Sequence, residues 1–455
     1  MSSALAVIEP ATEKVLAEIP RAGVEETNAA VARAREAFPG WRAVAPAERA
    51  VLLRSLADLL ASKREELAQL EARNAGKPIA DARGEMDMAA QTFLYYAGAP
   101  ERPNGDTIPV TGGHAFTVRE PLGVVGLIVP WNFPLVIASW KLAPALAAGN
   151  TVVLKPAELT PLTALRFAEL AVEAGIPDGV VNVVVGPGSV VGRRLVEHPD
   201  VAKIAFTGST EVGRSIAAGA AESIKRVTLE LGGKSPNLVF EDADIEAAAA
   251  AAPMAVFGNA GQDCCARSRI LVHRSVLEPF MEALEASVTA IIVGDPLRED
   301  TQMGPLISAG QREAVSSFVN GEAPVAITGS APDGPGYWMA PTVLCPVDPA
   351  ARVAREEVFG PVAAVIPFDD EAEAVQVAND TIYGLSGSIW TRDGARALRV
   401  ARALETGVLS VNSNTSVRVA TPFGGFKQSG YGRELGPHAL DAYTEVKSIF
   451  YAVPS

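Results

Sequence analysis

Two cysteines stand side by side in the stretch Gly258-Asn259-Ala260-Gly261-Gln262-Asp263-Cys264-Cys265-Ala266-Arg267-Ser268-Arg269, and the 455-residue chain has only one other. Disulfide geometry resists a bridge between sequence neighbours, so these thiols read as chemistry rather than as a cross-link. A thiolate is a strong nucleophile once its surroundings manage a pKa of about 8.5. The glycines before it permit close backbone approach. Cys264 is therefore the candidate to attack a carbonyl carbon. Glu230 is a carboxylate inside an apolar run, costly there unless paired or protonated. Burial would lift its pKa towards that of a general base; an ion-paired structural glutamate is the alternative. Asn132, in Pro130-Trp131-Asn132-Phe133-Pro134, offers amide donors to a developing oxyanion, or simply occupies a proline-framed turn.

These residues need elements to bring them together. Helical spacing runs through 25–75 (Val31, Ala34, Phe38; Leu52, Leu56, Leu59, Leu60), and a Pro- and Gly-rich hairpin is expected at 103–121. Apolar strands are then expected at 123–129, 151–154, 180–185, 202–206 and 227–231. They alternate with helices near 135–147, 160–174, 189–197 and 211–221. Such alternation implies a parallel, doubly wound sheet with ligands at the carboxyl ends of its strands. A second α/β block follows, with strands at 237–240, 269–273, 362–368, 385–390 and 407–411 and a loop-rich interruption near 292–360. The tail 444–452 reads as a strand that must pair outside that block.

The turns after the first strands carry candidate ligand contacts. Lys155 and Glu158 follow 151–154; a carboxylate there accepts from a ribose and repels a 2′-phosphate, favouring NAD over NADP, or else it begins a helix. Gly186-Pro187-Gly188-Ser189-Val190-Val191-Gly192 is a near miss to the dinucleotide fingerprint. Gly208 and Ser209, before a helix, suit a pyrophosphate.

Composition narrows the class. The chain is 48% apolar and 20% charged, as expected of a soluble globular protein with two or three domains. A net charge of −14 argues against nucleic-acid or anionic-membrane partners. Four scattered histidines and no CxxC pattern give no metal site. Three cysteines form no disulfide framework, and no signal peptide or membrane span is read, so a cytoplasmic location is expected.

Taken in order, these pieces resemble the aldehyde dehydrogenases of the NAD(P)-dependent superfamily over nearly the whole chain. Besides the segments above, the resemblance rests on Leu229-Glu230-Leu231-Gly232-Gly233-Lys234, Glu356-Glu357-Val358-Phe359-Gly360-Pro361 and Pro422-Phe423-Gly424-Gly425-Phe426-Lys427-Gln428-Ser429-Gly430. It implies Cys264 as nucleophile, Asn132 with the Cys264 amide as oxyanion donors, and Glu230 as the base for the deacylating water. Lys155 and Glu158 would hold the adenosine ribose and Ser209 the pyrophosphate. Glu357 and Phe359 would position the nicotinamide, with Trp131, Gly188, Phe206, Gly208 and Leu231 also along the cofactor. The implied architecture is α/β: a Rossmann-like doubly wound NAD-binding domain (1–102 and 122–231), a second α/β catalytic domain (232–428), and a small β oligomerisation domain (103–121 and 443–455), with 429–442 returning to the cofactor domain. A homo-oligomer, dimer or tetramer, is implied.

Relative to many members the chain begins late, at Val7-Ile8-Glu9-Pro10-Ala11-Thr12, so a leading hairpin is expected to be missing. The Gly-Gln-Asp-Cys form is similar to that of bacterial aminobutyraldehyde and betaine-aldehyde dehydrogenases. Asp263 would then receive the ammonium of an ω-aminoaldehyde, or else point to solvent. Phe133 and Trp140 match tunnel positions and could add cation–π attraction. Phe423 stands where betaine-aldehyde enzymes usually carry tryptophan. An acidic semialdehyde would want a basic residue, for which Arg418 is the nearest candidate.

Overall fold

A computed structural model describes residues 4–102, 104–321, 323–415 and 417–453. The first α/β block folds as a six-stranded sheet in the order Gly430–Tyr431, Arg226–Glu230, Val201–Thr207, Val124–Ile128, Thr151–Lys155, Val181–Val183. All neighbours are parallel except the first pair. Val124–Ile128 and Thr151–Lys155 are buried at every residue, because helices cover both faces. One cover is the helix Pro134–Ala147, in which all 14 residues are buried. Proline opens it, where no backbone N–H is needed. Its apolar sides join Leu56, Phe93, Leu127 and Leu154 in one core. On the opposite sheet face Val31, Val153, Leu195 and Ile204 form another.

The second block is a seven-stranded sheet in the order Val325–Thr328, Thr342–Leu344, Val362–Phe368, Arg269–His273, Pro236–Val239, Ser386–Trp390, Val408–Val411. A third, three-stranded antiparallel sheet joins Thr444–Ala452 to Gly113–Pro121 and Thr107–Val110, with Thr444 opposite Pro121 and Ala452 opposite Gly113. The tail thus pairs outside the second block, as its pattern required.

Two features differ from the sequence reading. Residues before 21 were given no strand, yet Ala4–Glu9 and Lys14–Pro20 form a hairpin through the segment at which the chain was read as beginning late. The region 292–360, loop-rich by its sequence, supplies two strands of the seven-stranded sheet and the helix Ala309–Ser316. Those strands have four and three residues, too short for a period-2 pattern to stand out. The strand expected at 385–390 is present as Ser386–Trp390, and the short strand Tyr383–Gly384 before it pairs with Phe426–Lys427. No helix among the described residues is long and apolar enough to cross a membrane.

Candidate active site

The parallel register aligns the carboxyl ends of the strands. Ile128 lies beside both Lys155 and Phe206, and Thr207 beside Glu230. The turns singled out in the sequence therefore converge on one rim. At Glu230 the chain leaves this sheet through Gly232 and Gly233. A Cβ at Gly233 would come within 2.2 Å of the Cys264 carbonyl oxygen. Only glycine lets the two backbones pass this closely, which closes the 34-residue gap between base and nucleophile.

The nucleophile turn follows the helix Ile245–Phe257. Asn259, Ala260 and Gly261 all take positive φ (50°, 55° and 71°). Two consecutive non-glycine residues in that region are strained and need outside support. Asn259 supplies it by donating from Nδ2 to the carbonyls of Asn132 (2.9 Å) and Gln262 (3.2 Å). Gln262 donates back to the Asn259 carbonyl at 3.0 Å and accepts from the Ile307 amide at 2.8 Å. Asn132 is buried, and its Nδ2 donates to the Gln262 carbonyl at 2.9 Å. One amide hydrogen is thereby fixed two residues from Cys264, and the second is left for another acceptor.

Cys264 opens onto a cavity of about 530 Å³ that also contains Glu230, Leu231, Asp263, Phe133, Trp140 and Phe423. The structure thus joins the predicted nucleophile, base and aromatic wall. Trp140 and Phe423 lie 5.1 Å apart, centroid to centroid. The Cys264 thiol is held well above its usual pKa, first by contact with the Cys265 thiol and then by burial. Glu230 is likewise raised, by burial and then by the charge of Glu434. Neither of its carboxyl oxygens finds a hydrogen-bond partner among the described residues. Asp263 has a use that the sequence did not reveal: Oδ1 accepts the Cys265 amide at 2.8 Å. Ligand-type atoms of Asp263, Cys264 and Cys265 lie within 4.8 Å of one another, all on this one turn. Arg418 is exposed and outside the cavity lining.

The rim fits a dinucleotide. Lys155 is buried, and burial lowers its pKa to about 8; its Nζ donates to the Pro156 carbonyl at 3.0 Å. Among the described residues it has no ion pair, although the charge of Glu158 acts on it. Glu158 is held by Arg21, Nε to Oε1 2.6 Å. Ser209 caps the helix Thr210–Ala221, whose N-terminus carries partial positive charge, and Gly208 lies against the Phe206 ring. Gly188 opens the turn Gly188–Gly192, and Gly192 sits beside the Lys155 stem. Trp131 and Phe359 meet edge to face at 5.2 Å. Glu357 accepts the Gly233 amide at 3.0 Å, and burial lifts its pKa to about 7.

Lys141, Glu434, Asp81 and Glu85 escaped the sequence reading. Lys141, the one cation in the helix Pro134–Ala147, donates to Thr207 Oγ1 at 2.7 Å and pairs with Glu434, which lines the cavity. Its place in an apolar helix was a visible signal. Asp81 and Glu85, also in the lining, share a face of the helix Ile79–Ala97, but nothing in their sequence distinguishes them from solvated acids.

Residues 1–449 match the model of the aldehyde dehydrogenase family. The chain belongs to that family. Its members are nicotinamide-dinucleotide-dependent enzymes that oxidise aldehydes, and this one is an aldehyde dehydrogenase too. It is 42% identical to a betaine aldehyde dehydrogenase of Bacillus subtilis (98% of this chain, 93% of that one). It is 46% identical to a phenylacetaldehyde dehydrogenase of Pseudomonas fluorescens (98% and 92%). Among solved structures, an NAD+ complex of an aldehyde dehydrogenase from Bacillus cereus superimposes with a TM-score of 0.97 at 45% identity (99% and 94%).

Proposed function

We propose that this aldehyde dehydrogenase uses NAD to oxidise an ω-aminoaldehyde, such as 4-aminobutyraldehyde, to the amino acid. The observation that carries the substrate is the lining of the Cys264 cavity. Asp81 and Asp263 supply carboxyl groups beside Phe133, Trp140 and Phe423, while Glu85, also in the lining, is paired with Lys77. Arg267, the one cationic side chain in that lining among the described residues, donates to the Cys265 carbonyl at 2.8 Å and to Ser388 Oγ at 3.2 Å. An ammonium entering here meets acids and aromatic faces, both of which attract it.

The chain's own residues then do the following. Cys264 Sγ adds to the aldehyde carbon, and the new oxyanion accepts from Asn132 Nδ2 and the Cys264 amide. NAD, when bound, accepts the hydride that converts this adduct to a thioester. Lys155 and Glu158 hold the adenosine ribose, Ser209 and Gly208 face the pyrophosphate, and Glu357, Phe359 and Trp131 confine the nicotinamide end. Glu230, whose oxygens have no hydrogen-bond partner among the described residues, takes a proton from the water that attacks the thioester. The acid leaves and Cys264 is restored.

The three-stranded sheet is read as an oligomerisation unit. Its edge strand Thr444–Ala452 exposes Val446, Phe450 and Tyr451, an unusual load for an unpaired edge. Sedimentation of the wild type should show an oligomer. The cytoplasmic assignment rests on three cysteines that are all free.

A substrate panel tests the reading. kcat/KM for 4-aminobutyraldehyde should exceed that for butyraldehyde by about tenfold or more, one desolvated charge contact being worth about 1.4 kcal/mol or more. Equal values would remove the aminoaldehyde. A preference for betaine aldehyde or phenylacetaldehyde would move the assignment to a quaternary ammonium or an aryl group.

A further inference from the structure

The loop between the helices Arg64–Ala75 and Ile79–Ala97 places Lys77 in the interior, with a side chain that has no solvent exposure. A buried ammonium demands partners for all three of its hydrogens. Nζ lies 2.6 Å from both oxygens of Glu85 and donates to the Asn132 carbonyl at 2.9 Å. The ammonium also sits 4.5 Å from the centre of the Phe133 ring. One cation thus grips two consecutive residues of the turn, the oxyanion donor and the tunnel wall.

The rest of the turn is held just as closely. Asn259 gives the Asn132 carbonyl its second donor. Glu71, fully buried, accepts the Leu135 amide at 3.3 Å and the Thr163 hydroxyl at 2.6 Å, so it stands at the first turn of the helix that follows. The backbone of Asn132 is therefore suspended between Lys77 on one side and the strained nucleophile turn on the other.

We propose that Lys77, held by Glu85, is a positioning residue for the oxidation. It fixes the Asn132 peptide so that the side-chain amide already faces the site where the oxyanion forms. Preorganised donors stabilise a developing charge at no reorganisation cost, and a displacement of about 1 Å can cost about a hundredfold in rate. Glu85 carries this grip to the tunnel wall, since its carboxylate is part of the cavity lining. The inference rests on Asn132 being an oxyanion donor.

The test is a rapid-mixing measurement of the first NADH turnover on the NAD-saturated enzyme with uncharged butyraldehyde. Lys77→Met strands a buried carboxylate and could impair folding, so Lys77→Met/Glu85→Met, which removes both charges, is measured beside it. Both should lower the first-turnover rate about tenfold or more, leaving KM within about threefold and NAD binding unchanged. Lys77→Arg should recover part of the loss. On an Asn132→Ala background, Lys77→Met should add less than about threefold, because both act through one donor. A first turnover at the wild-type rate in the double-charge variant overturns the proposal. So does a Lys77→Met loss that multiplies in full with Asn132→Ala, the pattern of a merely structural residue. If Asn132→Ala alone leaves the first turnover intact, the oxyanion assignment falls and takes the Lys77 role with it.

Discussion

Glu230→Gln separates the two halves of the reaction. Glu230 is 3% exposed, and neither buried carboxyl oxygen is hydrogen-bonded among the described residues. An amide of the same size leaves the cavity shape alone and removes only the base. Thiol addition and hydride loss do not need that base; hydrolysis of the thioester does. General-base catalysis is worth about 10²–10⁴-fold, or about 2.7–5.4 kcal/mol at 1.36 kcal/mol per decade. Stopped-flow mixing with NAD and aldehyde should therefore show a near-stoichiometric NADH burst followed by steady turnover slowed by that factor. The pH dependence has a definite sign. Burial and the charge of Glu434 hold the Glu230 proton well above the usual carboxylate range. The base is thus protonated at low pH, and wild-type turnover rises as pH climbs through the raised pKa; the Gln variant lacks that rise. Stability runs the other way. The unfolded carboxyl ionises near about 4.3 and the folded one only much higher, so folding stability falls as pH rises between the two values. Glu230→Gln should melt above wild type on the alkaline side. A variant that loses the burst itself, or keeps full steady turnover, refutes the assignment of Glu230 to deacylation.

Asp81→Asn should lower kcat/KM for 4-aminobutyraldehyde about three- to tenfold while leaving butyraldehyde unchanged, since the carboxylate lines the cavity but stays partly in water; equal losses on both substrates would remove its charge from specificity. Cys265→Ala removes the contact that contributes most to raising the Cys264 pKa, so iodoacetamide should alkylate Cys264 faster at neutral pH, as read by mass spectrometry of the labelled peptide. Gly233→Ala puts a methyl 2.2 Å from the Cys264 carbonyl and should cost about a hundredfold in kcat with the thiol still titratable. NAD at about a hundred times its Kd should stabilise the wild type by about 2.7 kcal/mol, seen as a higher Tm, and Lys155→Ala should shrink that shift.

How much of this was legible in the sequence depended on whether the signal was local. The fully buried strands Val124–Ile128 and Thr151–Lys155 announced themselves, because a strand covered on both faces must be apolar at every position. The N-terminal hairpin did not, because Lys14–Pro20 has no fully buried residue and so carries no clear alternation. The site divides in the same way. Cys264 and Glu230 are conspicuous because each is chemically out of place among its neighbours. Asn132 in isolation reads as a residue of a proline-framed turn, and its amide's contact with the Gln262 carbonyl, two residues from Cys264, is visible only in the fold.

Lys77 shows most plainly why the remainder stayed hidden. In sequence it is a lysine after a glycine and before a proline, a setting that normally means a solvated loop. Its burial follows from three segments packing around it: the helix carrying Glu85, the turn carrying the Asn132 carbonyl and the Phe133 ring, and beyond them Asn259 on the nucleophile turn. The nearest of these is eight positions away and the contact to Asn132 spans 55. No window of sequence contains that arrangement. The energetics nevertheless force it once the loop is inside, since an ammonium removed from water must find acceptors or lose its proton. Here those acceptors are the Glu85 carboxylate in the cavity lining and the Asn132 carbonyl, so the requirement to satisfy one buried charge also ties down the peptide of the proposed oxyanion donor.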